Sequence, residues 1–234
     1  MALSSGKRAF SLLELTLSCA LLSLFFLAIF VLFERGIYGY STASKRMDSA
    51  AEMRAIVTRL ESDAELATLA GSQVVDSRTV NVVLDSGAAI YPRHIVSLPG
   101  LGDWSDPLRF DEQSGLPLWD RYFLYHAELA QDSAALVRVE LRPPQFSGFG
   151  WTNLPQYVAA YPNQAPARGA VIGNGQVGAR RALTTNLLAF EAIKTTADLG
   201  FIIRLRSRTK GATGLARDEV LEARVRVVPK NKGY

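Results

Sequence analysis

From Phe10 to Phe33 the chain is apolar and carries a single charge, the carboxylate of Glu14. Placing a carboxylate in hydrocarbon costs on the order of a few kcal/mol, less near the ends of a span, so such a group needs a partner. A cut before Phe10 would supply one, because the new α-amine would lie four residues, about 6 Å along a helix, from Glu14. Amine and carboxylate then neutralise each other, best between neighbouring subunits staggered in a packed bundle. Just before the run stand Lys7 and Arg8, with no acid among residues 1–9.

Elsewhere the inventory for chemistry is thin. His94 follows Tyr91-Pro92-Arg93 and His126 ends an aromatic strand, with no serine or cysteine nucleophile placed for either. Cys19 is the only cysteine and lies inside the apolar run, so there is no disulfide, and two histidines with one cysteine do not make a zinc site. Asp103 and Asp106 flank Trp104 in a loop, which is too little to assign calcium or any other metal. Gly173-Asn174-Gly175-Gln176-Val177-Gly178, with Asp198 about twenty residues on, matches the dinucleotide fingerprint in form. Strand-like alternation follows it where a phosphate-holding helix is required, so it reads as a glycine-rich turn and no cofactor is expected.

These residues need elements to hold them. Leu15 to Phe33 is 19 residues without charge, and as a helix it spans about 28 Å, one bilayer core. The basic pair before it keeps the amino terminus cytoplasmic and sends the body outward. A mean hydropathy of +0.09 hides a split, since residues 10–33 sum to about +56 and leave about −0.17 per residue elsewhere. One membrane segment on a water-soluble body excludes a polytopic transporter and a wholly cytosolic enzyme. The formal charge is +4, from 26 basic and 22 acidic side chains. Without Lys7 and Arg8 the balance is 24 to 22, which removes the argument for nucleic acid.

No proline occurs before Pro92, so the helix continues past the membrane, weakened locally at Gly36 and Gly39. Ala43, Met47, Ala50, Met53, Val57, Leu60, Ala64 and Ala67 recur at spacings of three and four, and make one face of residues 34–71. Lys45, Asp48, Glu52, Arg59 and Asp63 occupy its outer surface, and Gly71 is a natural stop. A helix from Phe10 to Ala70 would be about 90 Å long. Beyond it the period changes to two. Strands are predicted over 79–84, 89–95, 122–126, 135–141, 190–195, 201–206 and 220–228. In the last two, arginines alternate with apolar residues, the pattern of an antiparallel sheet with one wet face. Residues 143–181 hold five of the ten prolines and six of the eighteen glycines, with Phe146, Phe149, Trp151, Tyr157 and Tyr161, and read as a long loop.

The segment Lys7-Arg8-Ala9-Phe10-Ser11-Leu12-Leu13-Glu14-Leu15 resembles the class III signal of type IV pilins and type II secretion pseudopilins. The resemblance is specific over residues 7–34 and one of architecture beyond. It implies a leader over 1–9, cleavage between Ala9 and Phe10 by a prepilin peptidase, N-methylation of Phe10, and Glu14 as the assembly glutamate. Ala9 departs from the pattern, since glycine is usual there. The implied fold is α+β and pilin-like: a transmembrane assembly helix (10–33), an amphipathic continuation (34–71) and an extracytoplasmic β-rich domain (72–234). The implied protein is a structural subunit and not an enzyme, a minor one similar to J-type pseudopilins or PilW-like minor pilins. Its implied partners are other pilin or pseudopilin subunits, the peptidase, an inner-membrane assembly platform and, before assembly, membrane lipid. Its implied place is the bacterial inner membrane with the body in the periplasm, then a filament. The rival from the residues alone is a single-span anchored periplasmic binding or sensor domain.

Overall fold

A computed structural model describes residues 11–129, 134–143, 154–173, 175–210 and 216–231. Lys7, Arg8, Ala9 and Phe10 lie outside these residues, as do Phe146, Phe149 and Trp151. The first element is α1, Leu12–Leu66, an unbroken helix of 55 residues, about 82 Å long. Ser11 begins it as an N-cap in extended conformation. The helix ends four residues short of the expected Ala70, because partners for its last carbonyls come from far along the chain. Lys230 N donates to Glu65 O (2.9 Å) and Asn231 Nδ2 to Leu66 O (2.6 Å). Ala67 is already extended, and the Lys230 ammonium adds a cation at the negative end of the helix dipole.

The strands are β1 (Gln73–Leu84), β2 (Gly87–Gly100), β3 (Arg121–Leu129), β4 (Ala134–Arg142), β5 (Val171–Ile172), β6 (Gly175–Lys194), β7 (Leu199–Lys210) and β8 (Ala216–Val227), with a short helix α2 (Leu154–Ala160) before β5. They form one sheet in the order β1-β2-β3-β4-β6-β7-β8, with β5 paired to β6. Neighbours in that order run antiparallel, and β6 also meets β2 through one parallel pair, Arg93 with Phe190. An apolar amino-terminal helix packed on an antiparallel sheet, the expected α+β layout, is therefore present.

Three apolar clusters hold the layers. In the first, Met53, Ile56, Leu60 and Ala64 of α1 pack on Leu98, Tyr125, Phe190, Phe201 and Ile203 of the sheet. In the second, on the opposite sheet face, Leu124, Val137 and Val139 meet Trp119 and the α2 residues Leu154 and Tyr157. In the third, Val82, Leu84 and Tyr91 of the β1–β2 hairpin lie on Leu188 and Ala189 of β6.

Several expectations need correction. The small-residue stripe of α1 is buried only from Met53 onward, while Met47 is 71% exposed. Asp63, assigned to the outer surface, is buried. β1, β2, β3 and β4 all extend beyond their predicted ends. The stretch read as loop to residue 181 holds α2 and β5, and β6 begins within it at Gly175. The face of β7–β8 expected to be wet is exposed at Glu222, Arg224 and Arg226, while the paired Arg206 and Asp218 side chains are only 12% and 2% exposed.

Candidate functional site

Among the described residues, the amino-terminal half of α1 is a continuous unpartnered apolar surface. Leu12 is 82% exposed, and Leu13 to Phe33 leave their apolar side chains open along the whole run. This run makes α1 long and apolar enough to cross a membrane once. Two of its hydroxyls bond within the helix, as suits a span: Thr16 Oγ1 donates to Leu13 O (2.9 Å) and Ser23 Oγ to Cys19 O (2.8 Å). Cys19 is exposed on the same surface.

Glu14 sits in the first turn and forms a capping box with Ser11. Ser11 N donates to Glu14 Oε2 (3.0 Å), and Leu13 N donates to Ser11 Oγ (3.2 Å). The carboxylate folds back toward the chain before it, beside the positive end of the helix dipole. Cleavage before Phe10 would leave the Ser11 amide in place and put the new amine one residue away.

Hydrogen bonds from the helix to the sheet begin at Lys45, whose Nζ donates to Arg208 O (3.3 Å), and at Arg46, which pairs with Glu219. Deeper in the interface Asp63 joins helix to sheet. Its carboxylate accepts from Tyr125 OH (2.7 Å) and from Nε and Nη2 of Arg138 (2.5 and 3.2 Å). The Arg138 guanidinium also lies 3.8 Å over the Phe123 ring. Burial pushes the Tyr125 hydroxyl well above its ordinary pKa, with the Asp63 charge adding to the shift. Sequence reading missed this triad, because an aspartate among surface positions of a helix carries no mark of its buried partner.

The remaining candidates are brought to structural positions. His126 is fully buried, with Nδ1 2.8 Å from the Tyr157 hydroxyl. Burial, with Arg78 and Arg180 nearby, pulls its pKa down to about 4, so it is neutral at pH 7. His94 Nδ1 accepts from Ala192 N (3.1 Å), bracing β2 against β6. Asp103 accepts from the Ser105 amide and hydroxyl, and Asp106 caps the turn at Pro107 and pairs with Arg109, so both carboxylates are engaged locally. The glycine-rich run is the β5–β6 turn, with Gly173 at φ +58° and Ile172 paired to Gly175. A Cβ at Gly175 would lie 2.5 Å from Leu141, so these glycines serve close strand packing. A strand follows them, and a phosphate there would meet no helix terminus. The alternating arginines of β7 and β8 are ion-paired: Arg204 and Arg224 to Glu222, Arg206 to Asp218, Arg226 to Asp198.

Comparison with protein-family models, curated proteins and solved structures returns no match for this chain.

Proposed function

We propose that the chain is a minor subunit of a membrane-assembled filament of the type IV pilin or type II secretion pseudopilin class. The observation that carries this reading is the apolar half of α1. It is continuous with the helix that packs on the sheet, bare over residues 12–33, and charged only at Glu14 in its first turn. A membrane anchor needs only the length and the apolarity, whereas a bundle of such helices also uses that carboxylate to set register. The residues 7–14 add the signal for removal of 1–9 and methylation of Phe10. In this role Phe10 and Glu14 align neighbouring subunits, residues 10–33 pack the filament centre, and the sheet domain faces outward.

The same capping box supports a second reading, a single-span anchored periplasmic binding or sensor domain, because the Ser11 amide already gives Glu14 a local partner. The two part company on Glu14→Ala. In a filament subunit this variant inserts into the membrane normally but no longer co-purifies with partner subunits. Co-purification equal to wild type would remove Glu14 from assembly and favour the anchored domain.

A further inference from the structure

We propose that the cleft between α1 and the β4–β6 ribbon binds a carboxylate. The cleft, of about 210 Å³, is lined by Arg59 of α1, Arg138 of β4 and Arg181 of β6 over an apolar floor that includes Ile56, Ala182 and Leu183. Arg138 and Arg181 are directly opposite one another in the antiparallel register, so both side chains leave the same sheet face. Like charges in that relation repel, and Arg59 brings a third guanidinium from the helix. Asp63 answers for only part of this charge. It is bidentate to Arg138 and lies 3.6 Å from Arg59 Nε. Among the described residues no ion pair reaches Arg181. On β7 and β8, by contrast, Arg204, Arg206, Arg224 and Arg226 each have an acid. Three guanidiniums against one carboxylate leave the cleft with two uncompensated positive charges.

The geometry selects the ligand. Guanidinium groups present planar forks that match a carboxylate in two-point contact, and the apolar floor suits the methylene groups that carry one. An anionic lipid headgroup is out of reach, because Arg59 lies 26 residues beyond Phe33, about 39 Å along the helix. A carboxylate of a free small acid and one on an acidic side chain of a second copy of this chain present the same group. The site stands independently of the filament reading.

The test is thermal unfolding of the full chain in detergent with succinate as probe and sodium chloride at matched ionic strength as control. At ten times its half-saturating concentration succinate raises the Tm by about 3–6 °C, and Arg181→Ala abolishes the response. Arg181→Glu supplies a carboxylate in place, so this variant melts above wild type and ignores succinate. An equal rise with chloride, an undiminished response in Arg181→Ala, or a lower Tm for Arg181→Glu would overturn the site. Sedimentation of the same samples separates the two sources. If the carboxylate belongs to a second copy, succinate and Arg181→Ala both dissolve an oligomer; if it is a free acid, sedimentation is unchanged.

Discussion

Replacing Asp63 with alanine strips Arg138 and Tyr125 of the carboxylate they share, at a place where the Asp63 and Arg138 side chains are 6% and 9% exposed. A buried cation left without its partner destabilises by about 3–5 kcal/mol, and chemical denaturation of the full chain is expected to show a loss of that size. The triple variant Asp63→Leu, Tyr125→Phe, Arg138→Leu removes every member of the triad together and is expected to recover most of the loss. A second residue gives a pH signature. The folded pKa of His126, about 4, lies below the 6.5 of the unfolded chain. Between those values the unfolded state binds the extra proton, so stability is full above pH 6.5 and declines as the pH falls toward 4. His126→Gln is expected to flatten that part of the stability curve, as read from Tm measured across the same pH range. Neither role was legible in the sequence. Asp63 occupies a helix position that reads as solvent-facing, and the cover over His126 comes from Tyr157 in a stretch that reads as loop.

At the scale of elements, α1 changes character along its length. A Cβ added at Gly36 or Gly39 would meet no atom within 4 Å, and hydrogen bonding to the sheet starts only at Lys45. A glycine in an exposed helix interior costs about 1 kcal/mol relative to alanine, so the segment between span and sheet is the weakest part of the helix. Hydrogen exchange of the amides over 34–44 is expected to be faster than over 53–64, and Gly36→Ala with Gly39→Ala is expected to slow it. Exchange unchanged in that variant would show that the glycines do not set the local stability. Periodicity revealed the helix and the middle of the paired strands β7 and β8, because one face is apolar over Phe201–Leu205 and Leu221–Val227. It failed on β6, whose bulges at positions facing Ala134–Leu136 and Glu140–Leu141 break the alternation. On the second face of β4 the charged residues Arg138 and Glu140 are buried, with Asp63 and Arg142 as their partners. The helix stop was missed because residues 230 and 231, far off in sequence, satisfy its last carbonyls.

On the scale of the whole molecule, the chain divides into a helix half without internal partners and a half committed to the sheet. The division itself was plain from hydropathy, and so was Glu14, the one carboxylate in the bare half. The chemical state of Phe10 decides between the two readings, and the direct measurement is the amino-terminal mass of the protein isolated from cells that possess a prepilin peptidase. A filament subunit begins at N-methylated Phe10, with residues 1–9 gone. A chain that still carries Met1 or any of the leader would contradict the proposed function.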